Sequence, residues 1–355
     1  MDTQTINHQV PYKEEKMSKG LKRSLLVLNC TMLGLGHVGG PLIMRLYFFK
    51  GGKGVWISSC LETAGWPFML LPLVVSYLYR RRMGGPGTEV FFIKPPIFLA
   101  SVLLGLLTGV DDFLYAYGVA RLPISTIALI ISTQLAFTAG FAFLLVKQKF
   151  TSFTINAIFL LTMGAVVLAL HTSSDRPANV SKRQYFLGFL MTLGASALYG
   201  FVLPAIELTY KKAKQNITYS LVMEMQMVMS FSATVFCITG MLFHKDFKAI
   251  PREASEYELG QSTYYVVLML NAILWQFFFM GAVGVIFSGS SLLSGIIIGA
   301  LLPVTESLAV LFYHEKFQVE KAISLVLSLW GSLYYFYGEF QENKKKNQAS
   351  EIEMA

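Results

Sequence analysis

Residues 262–285 read STYYVVLMLNAILWQFFFMGAVGV, and none of these positions carries a formal charge. As a helix the run would rise about 36 Å, enough to cross a hydrocarbon core about 30 Å thick. The apolar residues are continuous rather than alternating, which excludes a membrane β-barrel. Working outward, nine further runs meet the same test, at 24–47, 56–79, 96–119, 123–146, 152–171, 185–208, 219–243, 288–313 and 319–338. The whole chain agrees. Of its 355 residues 54% are hydrophobic, 14% aromatic and only 14% charged, and its mean hydropathy is +0.54. A soluble domain carries about 25% charged residues, and disordered chains are poor in aromatics. The expected fold is an all-α integral membrane protein of ten transmembrane helices. No cleavable signal peptide is expected, because residues 1–20 are polar and the first apolar run is long enough to span.

Lys and Arg set the orientation. With the N-terminus in the cytosol, the N-tail, the 80–95 loop, the 147–149 and 211–214 loops and the C-tail hold 17 of the 29 basic residues. Both termini are therefore expected in the cytosol. The net charge of +8 is read as this bias rather than as a nucleic-acid surface. A short repeat divides the chain. Lys149-Phe150 precedes Gly164, and Lys316-Phe317 precedes Gly331, at the same spacing and each before the last helix of a five-helix group. Two groups of five spans in one chain must lie in opposite orientations, the inverted-repeat build of many secondary transporters. The expected division is an N-tail (1–23), a first five-helix repeat (24–171), a linker (172–184), a second repeat (185–338) and a C-tail (339–355).

Other chemistries lack their residues. There is no Gly-x4-Gly-Lys-Ser/Thr loop and no GxGxxG after a strand, so neither an ATP-driven pump nor any cofactor is expected. The five histidines are scattered without paired spacing, so no metal site and no enzyme are expected. Cys30, Cys60 and Cys237 show no disulfide or CxxC pattern.

Four stretches carry a family resemblance. They are Gly39-Gly-Pro-Leu-Ile-Met-Arg-Leu-Tyr-Phe48 with Gly51, Gly52 and Trp56; Glu62-Thr-Ala-Gly-Trp-Pro67 with Arg80-Arg-Arg82; Leu122-Pro-Ile-Ser125 through Ser132-Thr-Gln-Leu-Ala-Phe-Thr-Ala-Gly140 to Lys149-Phe150; and Trp275-Gln276 through Ser290-Ser-Leu-Leu-Ser-Gly295 to Pro303-Val-Thr-Glu306 and Glu315-Lys-Phe317. Together they span about residues 22–340, and the chain resembles the plant purine permeases of the drug/metabolite transporter superfamily. The resemblance implies a permease that imports purine nucleobases and derivatives such as adenine, cytokinins and related heterocycles, driven by protons, in the plasma membrane. Position 62 departs from the pattern: Glu stands where many members carry Gln.

Ionisable side chains inside spans are functional candidates by default. His37, Glu62, Asp111, Asp112 and Glu306 lie within spans and are candidates for carrying the coupling proton, since removal from water disfavours a carboxylate's anion. For the Asp pair the structural alternative is an interhelical hydrogen bond or an ion pair with Arg45 or Arg121, and for Glu306 it is the satisfaction of backbone groups freed by Pro303. Arg45, Glu207 and His171 lie near the interfaces, where snorkelling suffices. A purine-type ligand would stack on aromatic rings and have its edge read by amides, whose paired donor and acceptor match the adenine N6/N7 edge. Gln134, Asn271 and Gln276 are mid-span amides, with Asn29 nearer the inner face; Trp275 and Tyr199 are mid-span rings, with Trp66 and Tyr115 farther out; Glu224 and Gln226 follow. Gln134 leads, in a helix otherwise lined by Ser, Thr and Ala. The alternative for any of these amides is interhelical glue. Fixed anions such as nucleotide sugars would call for Lys or Arg in the cavity, and none lies at mid-depth. An acid with aromatics also suits organic cations, and a non-transporting membrane sensor remains the other class.

Overall fold

Bilayer-length apolar runs can satisfy their backbone groups only internally, and the structure, a computed structural model, is mostly helical, with no strand among its described residues. These are residues 19–84, 89–122, 133–170, 181–313 and 329–338, with single positions between 127 and 131 and between 319 and 341. The elements are α1 (Lys19–Phe49), α2 (Val55–Thr63), a 3-10 turn (Trp66–Met69), α3 (Leu70–Gly84), α4 (Pro95–Val119), α5 (Gln134–Val146), α6 (Ser152–Leu170), α7 (Lys182–Lys212), α8 (Tyr219–His244), α9 (Asp246–Glu256), α10 (Gln261–Ser288) and α11 (Ser291–Tyr313). Residues 329–338 are helical as well. Among the described residues seven candidate spans are long and apolar enough to cross a membrane: α1, the run Val55–Arg82, α4, α7, α8, α10 and α11; parts of the expected spans 123–146 and 319–338 lie outside the described residues. Gln134–Val146 and Ser152–Gly164 are shorter apolar helices. Large side chains such as Val75, Leu144, Phe243 and Leu311 are 65%, 69%, 82% and 65% exposed, an outer apolar coat that suits lipid rather than water.

Local chemistry sets the ends. Ser181 and Gln184 form a capping box, in which the Gln184 N–H donates to Ser181 Oγ (3.2 Å) and the Ser181 N–H to Gln184 Oε1 (3.1 Å). Thr218 caps α8 by accepting the Leu221 N–H at 3.3 Å. Pro95 opens α4, where a missing N–H does no harm. Within the second run, Pro67 sits in the 3-10 turn and divides α2 from α3. A Cβ at Gly65, in this break, would fall on the Ala272 carbonyl oxygen, so the break lies directly against α10.

Interhelical contacts define two ends of the bundle. At the near end the Tyr219 hydroxyl donates to Asn29 Oδ1 (2.9 Å), the Phe92 N–H to Glu224 Oε2 (2.8 Å) and the Ser291 N–H to Glu207 Oε2 (2.7 Å). At the far end the Tyr47 and Tyr264 hydroxyls donate to Glu253 Oε2 at 2.7 and 3.3 Å. This bond ties α9, which the span count did not anticipate, onto α1 and α10. The closest helix pair is α1 with α10: a Cβ at Gly36 would fall on the Phe278 backbone nitrogen, and one at Gly281 on that of Leu33. The largest apolar core joins α1, α4, α7, α8, α10 and α11 through Leu33, Leu104, Leu203, Val222, Val283 and Ile298.

Candidate functional site

Seven helices leave a cavity of about 100 Å³ at the bundle centre, several times the space an ordered water needs. His37, Leu42 and Arg45 line it from α1, Glu62 from α2, Asp111, Asp112 and Tyr115 from α4, Gln134 from α5, Tyr199 from α7, and Trp275, Phe278 and Phe279 from α10. Ile298, Leu302, Thr305 and Ala309 of α11 close the ring. Helical rise places Arg45 and Ala309 roughly 6 Å from the far ends of their helices and His37 roughly 18 Å, so the cavity runs from mid-depth toward the far end. Its floor is aromatic. Tyr199 stacks on Phe278 (5.6 Å between centroids), Phe278 meets Phe279 edge-on at 5.2 Å and Trp275 at 5.4 Å, and the apolar core continues below. Tyr115 meets Trp275 edge-on at 5.8 Å on the wall.

Helical periodicity explains which side chains arrive. Asp112 and Tyr115, three residues apart, and Asp111 and Tyr115, four apart, share the α4 face turned inward. Glu62 is 2% exposed, Asp111 8% and Asp112 1%. Among the described residues Glu62 Oε1, Asp111 Oδ1 and both Asp112 oxygens meet no hydrogen-bond donor. Three carboxyls thus gather on one cavity that the Arg45 side chain also lines. Gln134 is 6% exposed, at the start of α5, and its own carbonyl accepts the Thr138 hydroxyl at 2.9 Å.

Eight of the sequence candidates therefore converge: His37, Glu62, Asp111, Asp112, Tyr115, Gln134, Tyr199 and Trp275. Six have other neighbours. Asn29 accepts from Tyr219, and Glu224 accepts from the Phe92 and Ile93 N–H groups (2.8 and 3.0 Å). Gln226 Nε2 donates to Ser230 Oγ (2.9 Å), and Gln276 Nε2 lies 2.9 Å from the Met69 sulfur. Trp66 packs edge-on against Phe231 at 5.3 Å. Asn271 is 1% exposed and lies off the cavity lining. The side chain of Glu306 lies outside the described residues. Depth alone missed Arg45. Its guanidinium stands 4.5 Å over the Tyr313 ring while lining the cavity, so a cation does border the site. The Phe278-Phe279 floor and Thr305 were also missed; a helical-face count on Trp275 would have found Phe278 and Phe279, three and four residues on.

This is an integral membrane protein whose spans surround a largely apolar cavity set with a few polar side chains. A family profile described as purine nucleobase transmembrane transport matches residues 24–345. Purine permease 3 of Arabidopsis thaliana is 53% identical over 333 residues, covering 93% of this chain and 95% of that protein. Purine permease 2 of the same plant is 53% identical over 346 residues, covering 94% and 97%, and its probable purine permease 22 is 37% identical over 306 residues, covering 85% and 80%. The chain belongs to the purine nucleobase transporter family. A crystal structure described only as that of a protein aligns with 88% of this chain and 96% of its own, with a TM-score of 0.58 at 14% identity; it shares the fold alone.

Proposed function

We propose that the chain is a secondary active carrier that takes up purine nucleobases and derivatives, including adenine and cytokinins, together with protons. In this reading ten spans form two inverted five-helix halves, 24–171 and 185–338, and both termini are cytosolic in the plasma membrane. The observation that carries it is the meeting of Gln134, Tyr115, Tyr199 and Trp275 with Glu62, Asp111 and Asp112 on one cavity. A flat heterocycle stacks on the aromatic floor, and the Gln134 amide pairs with its donor–acceptor edge. A proton taken by the carboxyl cluster from the far side removes a buried charge and lets the loaded cavity close. Reopening at the near end releases both, and exchange of roles between the inverted halves returns the empty carrier.

The test is uptake of radiolabelled adenine and trans-zeatin by yeast lacking its own nucleobase uptake, at acidic and neutral external pH, with and without a protonophore. Saturable uptake that rises with acid and collapses with the protonophore is expected. Gln134→Ala raises KM about tenfold, and Glu62→Gln removes part of the pH response. A surface-located chain that moves neither compound ends the purine reading.

The unpaired oxygens of Glu62, Asp111 and Asp112 favour a second reading, a carrier of organic cations stabilised by the same acids and rings. Competition of adenine uptake by an excess of a quaternary ammonium compound separates the two.

A further inference from the structure

On the wall that α1 and α10 build together, two ring nitrogens have no partner among the described residues: His37 Nε2 and Trp275 Nε1. His37 is 6% exposed and Trp275 5%, and both line the cavity. Both rest on the same ring, since the centroid of Phe278 is 5.9 Å from that of His37 and 5.4 Å from that of Trp275. The indole is held over Gly40, where a Cβ would meet Trp275 Nε1 at 3.2 Å and Cε2 at 3.0 Å. Buried polar ring nitrogens without partners are rare in native proteins, because each forfeits its bonds to water. Two on one cavity wall, with rings fixed by packing, form a recognition surface whose missing half belongs to a ligand.

We propose that His37 and Trp275 read the ring nitrogens of the bound heterocycle, which makes His37 a specificity-determining residue rather than a proton carrier. The inference rests on the purine reading of this cavity. An indole N–H only donates, so it selects an unprotonated ring nitrogen. A neutral imidazole has one donor and one acceptor nitrogen, and in its Nδ1–H tautomer the unpartnered Nε2 of His37 accepts a ring N–H. A donor with an acceptor matches the side of adenine where bare N3 neighbours N9–H. The amide of Gln134, on α5 and apart from this wall, is left for the N6/N7 edge. Proton coupling then falls to the carboxyls of α2 and α4.

The full chain in the same yeast tests this by uptake competition among adenine, 3-deazaadenine, which lacks the N3 acceptor, and 9-methyladenine, which lacks the N9 donor. Wild type is expected to favour adenine about tenfold over each. Trp275→Phe removes the preference over 3-deazaadenine and leaves the other. His37→Ala removes the preference over 9-methyladenine while uptake still rises with acid, and His37→Gln, which places a carbonyl oxygen near Nε2, restores it. Equal uptake of all three compounds by wild type overturns the proposal. So do variants that weaken all three in proportion, the mark of a packing role, and a His37→Ala that loses the acid response but keeps the ratios. A wild-type chain that takes up no adenine overturns the purine reading as well, whereas adenine uptake with unchanged ratios in the variants overturns this inference alone.

Discussion

Glu207 holds the start of α11 through Ser291: one carboxylate oxygen accepts both the Ser291 N–H at 2.7 Å and its hydroxyl at 2.6 Å. The other oxygen pairs with Lys211 at 2.7 Å, and the Lys211 ammonium also reaches the Val146 carbonyl at 3.4 Å. A buried anion at a helix N-terminus satisfies orphan donors and suits the helix dipole. Glu207→Ala is expected to destabilise the detergent-solubilised protein by about 2–3 kcal/mol. Lys211→Ala, at a half-exposed ammonium, should lose less than about 1 kcal/mol. Thermal unfolding of the two variants checks the order, and equal losses contradict it.

Glu224 performs a similar task at the approach to α4. Its carboxylate accepts the Phe92 and Ile93 N–H groups, while Gln215 Nε2 donates to the Phe92 carbonyl (3.1 Å) and Arg80 stacks on the Phe92 ring at 4.1 Å. Glu224→Ala should lower stability by about 2 kcal/mol and leave the KM of the surviving protein unchanged. A raised KM at unchanged stability would assign Glu224 to the ligand instead.

The α1–α10 seam tolerates no added carbon at Gly36. Because the obstacle is backbone rather than a pliable side chain, Gly36→Ala should fall at the upper end of overpacking losses, about 3 kcal/mol, with less folded carrier at the surface. Gly140 in α5 is the control, with nothing within 4 Å of an added Cβ. Gly140→Ala should stabilise by about 0.5–1 kcal/mol. Fluorescence-detected size exclusion after heating ranks both against the parent.

Two far-end links differ in burial. Tyr47 is 1% exposed, donates to Glu253 and accepts the Gly54 N–H at 3.0 Å. Glu258, 60% exposed, pairs with Lys50 at 2.9 Å. Tyr47→Phe removes one of the two donors to buried Glu253 and the acceptor of the half-buried Gly54 N–H, and should destabilise by about 1–3 kcal/mol, whereas Glu258→Ala should change stability by less than about 1 kcal/mol. Matched losses in an unfolding assay would show that burial does not set the difference.

Hydropathy reported length well because lipid demands it: α1, α4, α7, α8, α10 and α11 fall where continuous apolar runs stand. It was blind to the break at Ala64–Gly65, which joins the apolar residues on either side, and to α9, an amphipathic helix too polar to count as a span. The site was legible as depth and not as direction. Asp111, Asp112 and Gln134 sit deep and face the cavity, yet Gln276 is as deep and faces Met69. Which way a polar side chain turns depends on the helix beside it, and a single strand of text does not name that neighbour. Arg45 shows the converse, a residue near a helix end whose stem bends inward over Tyr313.

Gly36 against Phe278 and Gly281 against Leu33 bring two backbones into direct touch. Helices so joined cannot slip by a turn without driving one peptide plane into another, so α1 and α10 behave as one fixed post. In the proposed transport cycle, the motion that admits or discharges a ligand is then carried by the helices facing that post. Spin labels placed on α1 and α10 would keep a constant separation through every working state, a stationary landmark from which all other displacements in the molecule can be surveyed.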